Sequence, residues 1–254
     1  MADSRRSWQD RLIALLLERA TPTDPEAAER ALARLVQVLE RQREPPRGER
    51  IAPVVRNGAH RWDHDLIERH VAEGVSVLDL GCGSGTLLKR LMETKRVRGQ
   101  GIEIDAENVM QCVANGVPVF QTNLDHGLAG FPDESFDYVV LEETVQTLHR
   151  PVFVLTEMVR VGKRGIVTFP NFGHWQVRLD LALSGRMPVT RAWPYEWYES
   201  PNIRPLTVRD FQAAAADHGI RIVEGQVLTE GQVRPLDPDD NLFAEEVMLV
   251  IEKA

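Results

Sequence analysis

Val77-Leu78-Asp79-Leu80-Gly81-Cys82-Gly83-Ser84-Gly85-Thr86 decides the reading of this chain. An apolar strand empties into a turn with three alternating glycines, and the helix-like run Leu87-Leu88-Lys89-Arg90-Leu91-Met92 follows directly. Glycine is required there because it tolerates positive φ and, lacking Cβ, lets a ligand touch the backbone. Turns of this kind, at the carboxyl end of a first strand, are where open α/β sheets bind adenosine-containing cofactors.

Working outward, the spacing separates cofactors. A dinucleotide fingerprint asks for Gly-x-Gly-x-x-Gly or Ala. Here the sixth position is Thr86, the pattern is Gly-x-Gly-x-Gly, and Asp79 stands two residues ahead of it. This resembles motif I of class I S-adenosylmethionine-dependent methyltransferases; the alternative is a strand-to-helix turn without a ligand. About one βα unit downstream comes Gly99-Gln100-Gly101-Ile102-Glu103-Ile104-Asp105. An acid ending the second strand can accept hydrogen bonds from both ribose hydroxyls, and Glu103 fills that position. The other reading makes Glu103 and Asp105 solvated loop acids.

The 254 residues are 43% hydrophobic and 27% charged, with a formal net charge of −8. That is enough for one α/β domain with an appendage. The acidic balance argues against broad binding of nucleic acid or an anionic membrane, both of which need a basic surface. Two cysteines, Cys82 and Cys112, make no disulfide framework, and with no targeting or spanning segment a reducing, cytoplasmic location is expected.

Residues 4–42 read as two amphipathic helices, the first with Trp8, Leu12, Leu15 and Leu16 at helical spacing and the second opening at Asp24-Pro25-Glu26. Glu44-Pro45-Pro46-Arg47-Gly48 then reads as a linker. The expected division is a helical extension and linker over 1–56 and a cofactor-fold domain over 57–254. From His60 onward strands are expected at 75–80, 99–104, 117–121, 136–141 and 164–169, and helices at 62–72, 85–94, 106–115 and 150–160. Alternation of this kind builds a doubly wound, Rossmann-like parallel sheet with helices on both faces. Another helix is expected at 207–218 behind a Thr207 cap, and strands near 220–228 and 244–251 are expected to close the sheet with an antiparallel edge.

Chemistry is harder to place. His60, Asp63 and His64 have metal-ligand letters, but a solvated or capping role before the first helix is expected, and no metal. His149 reads as orienting a loop. The fourth strand ends at Glu142-Glu143-Thr144 without the Asn/Asp-Pro-Pro-Tyr of N-methylases. After the fifth strand, Thr168-Phe169-Pro170-Asn171-Phe172-Gly173-His174-Trp175 brings an amide, an imidazole and aromatic rings to the carboxyl edge of the sheet. His174, Glu143 and Asn171 are the candidate catalytic residues, with His174 a possible general base; the alternative is an ordered loop with Asn171 and His174 bonded to backbone. Trp193-Pro194-Tyr195-Glu196-Trp197-Tyr198 lines a pocket or anchors a protein partner.

The glycine turn, Arg160-Val161-Gly162-Lys163-Arg164-Gly165-Ile166, the Phe169–Trp175 loop, Gly185-Arg186-Met187-Pro188-Val189-Thr190 and the run Pro194–Ile203 together resemble the methionine biosynthesis MetW family over about residues 57–230. That resemblance implies a class I methyltransferase fold holding S-adenosylmethionine or S-adenosylhomocysteine at Asp79, Gly81, Cys82, Gly83, Gly85 and Glu103. It also implies adenine contacts at Asn123, where the pattern has an acid, and at the Leu124 N–H. It further implies a partner, a homoserine O-acyltransferase of the MetX type, which the protein supports. Two functions stay open: an accessory protein that binds the cofactor and activates that acyltransferase, or a methyltransferase acting on a small molecule. A homodimer is a further possibility.

Overall fold

The computed structural model describes residues 61–254. The amphipathic stretches within 4–42, the linker and His60 lie outside the described residues. The first helix, α1 (Trp62–His70), carries Asp63 and Asp65 in its first turn and Arg69 and His70 in its last, charges that complement the helix dipole. Strand β1 (Ser76–Leu80) follows, then α2 (Thr86–Lys95), β2 (Arg98–Glu103), α3 (Ala106–Ala114) and the short β3 (Val119–Gln121). After them come β4 (Phe136–Glu142), α4 (Pro151–Val161), β5 (Gly162–Pro170) and α5 (Trp175–Ser184). The chain finishes with α6 (Val208–Asp217), β6 (Ile220–Thr229), β7 (Gln232–Pro235), the single-turn α7 (Asp240–Phe243) and β8 (Glu246–Lys253).

The eight strands form one sheet in the order β3-β2-β1-β4-β5-β8-β6-β7. Strands β1 to β5 are mutually parallel, as the alternation of strand and helix requires. The expected antiparallel edge is present, built from the strands at Ile220–Thr229 and Glu246–Lys253 together with one more, β7. β8 is an interior strand, paired antiparallel with β5 on one side and β6 on the other, and the outer edge is a β6–β7 hairpin. Burial explains the placement, since Glu246 to Ile251 are all buried, which an edge strand cannot achieve. The hairpin turns on Glu230 and Gly231, both at positive φ, the geometry that matches strand twist in a two-residue loop.

Side-chain alternation divides the core in two. Leu78, Leu80, Val139, Leu141, Val167, Leu249 and Ile251 pack against α4 and α6. On the other face Val77, Tyr138, Val140, Ile166 and Met248 pack against α1 and α2. Following that second face towards the carboxyl ends of the strands, parity replaces the apolar residues with Asp79, Glu142, Thr168 and Glu246, all in the sheet beneath the start of α1. The core thus ends in a polar row, and the row borders the glycine turn.

Candidate functional site

The turn after β1 has the conformation its composition asks for. Gly81, Gly83 and Gly85 have φ of 76°, 54° and 77°, where a side chain is strained. A Cβ on Gly81 would lie 2.7 Å from Thr144 Oγ1, whereas one on Gly83 would meet nothing within 4 Å, so at Gly83 the backbone faces open space. The turn is tied to the end of β2, because the Gly81 and Cys82 N–H groups both donate to the Ile102 carbonyl. Glu103 completes that tie. Its Oε2 accepts from the Gly83 N–H at 2.8 Å, and its Oε1 accepts from the N–H groups of Ile104 and Asp105 at 2.7 and 2.9 Å. Glu103 is buried, so it is no solvated loop acid. Asp105 caps α3, accepting from the Asn108 N–H.

Beside the turn lies a cleft of about 310 Å³ lined by Gly81, Glu103, Thr122, Asn123, Leu124 and His149, among others. Asn123 Oδ1 accepts from the Asp125 N–H and so caps a 3-10 turn, Leu124–His126, while Leu124, first in that turn, has no preceding turn carbonyl for its own N–H. The His149 backbone N–H donates to Asp125 Oδ2, and the residue lines the cleft.

The polar row is the least expected feature. Asp63 and His64 are buried against the sheet, not solvated, and Asp63 accepts from the Thr168 hydroxyl. Arg61 joins Asp63 Oδ2 at 2.8 Å, Glu142 Oε1 at 2.8 Å and Glu143 Oε2 at 3.2 Å. His64 Nε2 lies 2.9 Å from the same Glu142 oxygen, and Trp62 Nε1 donates to Glu246. Burial alone would raise Asp63, but hydrogen bonding and charge from Arg61 bring it below the ordinary carboxylate range. Glu142 is raised, by burial first and by Asp63 as well. Asp63, His64 and Glu142 bring ligand atoms within 4.8 Å of one another, but the Arg61 guanidinium already supplies a positive charge to both carboxylates.

Asp79 differs from these neighbours. It is 1% exposed, and neither carboxyl oxygen has a hydrogen-bond partner among the described residues. Burial, then the negative charges of Glu142 and Glu103, push it well above the carboxylate range. Cys82 and Cys112 lie next to it with Sγ atoms 3.7 Å apart; burial raises both thiols, which keeps them neutral and poorly nucleophilic.

Comparison with known proteins now identifies the chain. Residues 61–251 match the methionine biosynthesis protein MetW family. The chain belongs to the MetW family. A bifunctional methionine biosynthesis protein MetXA/MetW from Rhodopirellula baltica is 33% identical over 202 residues, covering 75% of this chain and 32% of that protein. The chain therefore spans about a third of the length of that relative. Among solved structures, an S-adenosylmethionine-dependent methyltransferase from Mesorhizobium loti superimposes with a TM-score of 0.58 at 14% identity, over 77% of this chain and 99% of that one. One from Archaeoglobus fulgidus gives 0.54 at 15% identity, over 75% and 94%. Likeness at such identity establishes the fold, a Rossmann-like methyltransferase sheet, and nothing finer.

In this MetW-family chain the three catalytic candidates have unequal surroundings. Asn171 is fully buried; its Nδ2 donates to the carbonyls of Asp240, Asn241 and Ala244, and its Oδ1 accepts from the N–H groups of Gly173 and Val208. Every polar atom of that amide is used to bind β5, α6 and α7 together, leaving nothing for a substrate. His174 is buried, and desolvation plus the charge of Arg178 lower it to about 4, so it is a poor proton acceptor at neutral pH. The aromatic rings of the loop are packing groups too, with Phe169 stacked on Phe211 and Phe172 edge-on to Trp193. Glu143 alone stays beside the cleft, at a strained φ of 44°, its N–H held by Thr168.

Sequence reasoning missed Arg61, Glu142 and Gln146. Gln146 is buried; its side chain donates to the Glu143 carbonyl and its own carbonyl accepts from Ile203 and Arg204, which pins the aromatic segment to the site. The available signal for Arg61 and Glu142 was strand parity: Glu142 shares its face with Tyr138 and Val140. In the aromatic segment Trp193 is buried, whereas Trp197 is 72% and Tyr198 65% exposed. No helix among the described residues is long and apolar enough to cross a membrane.

Proposed function

We propose that this MetW-family protein binds S-adenosylmethionine in the glycine-turn cleft and supports a homoserine O-acyltransferase of the MetX type. The observation that carries the cofactor reading is the turn itself: three left-handed glycines, one open to solvent at its missing Cβ, joined through the Gly83 N–H to the buried carboxylate of Glu103. Glu103 would hold the ribose hydroxyls, the Leu124 N–H and Asn123 amide the adenine, and Gly81, Cys82, Gly83 and Gly85 the backbone-facing side of the ligand. Asp79, an acid with no partner among the described residues, would receive the amino-acid end. Bound there, the cofactor supplies a sulfonium with a transferable methyl group.

The accessory role is supported by the relative whose name joins MetXA and MetW in one protein. It is also supported by the full internal use of Asn171 and the weak basicity of His174. Trp197, Met187 and Val189 are exposed around a groove that offers anchors to a protein partner. Co-expression with the acyltransferase tests this reading: a complex forms and acyl transfer speeds up, while Trp197→Ala weakens the complex by about tenfold or more. An acyltransferase equally active alone, with no complex, contradicts it.

The second reading, a methyltransferase with Glu143 as base, has the strained Glu143 backbone beside the cleft in its favour. It predicts S-adenosylhomocysteine release when protein, cofactor and small-molecule extract are combined.

A further inference from the structure

Around the start of α5, donor side chains gather with no carboxylate to meet them. Arg178, on the first turn of α5, is pinned by backbone carbonyls: its Nε donates to Gly173 and its Nη2 to Asn241 at 3.1 Å. Gly173 permits that approach, since a Cβ there would lie 2.7 Å from the Asn241 carbonyl oxygen and 3.2 Å from Arg178 Nη2. Arg209, the second residue of α6, meets the same Asn241 through its backbone N–H, which donates to Oδ1 at 3.1 Å. The two arginines are near enough that the charge of Arg209 acts on Arg178. His174, at the N-cap of the ten-residue α5, completes the group; it is 8% exposed and feels the Arg178 charge. Among the described residues neither guanidinium is paired with a carboxylate, and neither ring nitrogen of His174 has a hydrogen-bond partner. Trp193, packed on Val177 of the same helix, has a buried Nε1 that is also without a partner there. Two like charges, one of them largely withdrawn from water, oppose each other, and such an arrangement calls for a reason.

We infer that the start of α5 is a binding site for a phosphate-type dianion, either inorganic phosphate or the phosphoryl group of a small metabolite, held by Arg178, Arg209 and His174. Two guanidiniums match a divalent anion better than a single carboxylate. Arg178, fixed by two carbonyls, presents Nη1 as a preset donor. The Arg209 side chain makes no hydrogen bond among the described residues and is at liberty to turn onto the ligand. A neutral His174 donates one ring N–H. The first N–H groups of α5 add the positive end of a helix dipole. None of these residues lines the glycine-turn cleft, so the site stands independently of the cofactor reading.

Calorimetric titration of the full chain with inorganic phosphate, O-phosphoserine and acetate, at constant ionic strength, tests this. Phosphate should bind saturably and about tenfold or more tighter than acetate. Tighter binding of O-phosphoserine than of phosphate assigns the site to a metabolite's phosphoryl group, and equal or weaker binding assigns it to the free anion. Arg209→Gln should weaken phosphate binding by about tenfold. Arg96→Gln, which replaces an arginine with an 83% exposed side chain at the far end of α2, should leave it unchanged. In NMR spectra the imidazole resonance that disappears in His174→Gln should be the one that phosphate shifts. Absence of saturable phosphate binding, acetate bound as tightly as phosphate, or binding indifferent to Arg209→Gln overturns the site.

Discussion

At Asp79 the physical conflict is between burial and charge, and burial prevails in the free protein. An aspartate raised on folding holds a proton that the unfolded chain has released above about pH 4. Its contribution to stability therefore falls as pH climbs from the ordinary carboxylate range toward the folded value. Asparagine at this position does not titrate. The melting temperature of Asp79→Asn relative to the native chain should therefore shift in the variant's favour as pH rises from about 4 to 8, by a few degrees if about 1–2 kcal/mol is involved. A difference constant with pH would show that Asp79 ionises normally. Of the site residues, Gly81, Gly83, Gly85 and Glu103 were legible in the sequence because each is a local requirement: backbone handedness, or an acid at a strand end. The isolation of Asp79 was not legible, since it depends on Glu142, Glu103 and Arg61 arriving from three other segments.

Elements were read most accurately where periodicity and capping agree. The helix expected at 207–218 is found at Val208–Asp217 with a full capping box between Thr207 and Asp210. The five parallel strands were found close to their expected positions, although β3 begins two residues late, at Val119. Helix α5 went unread because its stretch follows a loop whose Asn171, His174 and aromatic residues looked like chemistry. Asn171 in fact joins three elements at the carboxyl edge of β5. Asn171→Ala strands two N–H donors and three carbonyls in the interior and should cost about 3 kcal/mol or more in denaturant unfolding. In native conditions cofactor affinity should stay within about threefold. Unchanged stability with lost function would instead make Asn171 a functional group. The placement of β8 between β5 and β6 was also beyond local reading, because strand order is a property of the sheet and not of the strand's own pattern.

For the molecule as a whole, the two sheet faces divide the labour. One is an apolar core under α4 and α6; the other ends in the row Asp79, Glu142, Thr168 and Glu246 beneath Arg61, Trp62, Asp63 and His64. Gln146 connects that end of the sheet to the exposed aromatic segment, through the Glu143 carbonyl on one side and Ile203 and Arg204 on the other. A ligand in the cleft and a partner on the segment would therefore share a short chain of hydrogen bonds, a physical route for linkage between two sites. We propose that the cleft binds S-adenosylmethionine and that this binding is felt by the acyltransferase. It is tested most directly by titrating S-adenosylmethionine into the protein with and without that enzyme, and again with Glu103→Ala. Saturable binding is expected, with an affinity changed by the partner and a loss of about tenfold or more in the variant, which removes a charged acceptor. Absence of binding, or binding indifferent to both the partner and Glu103, would contradict it.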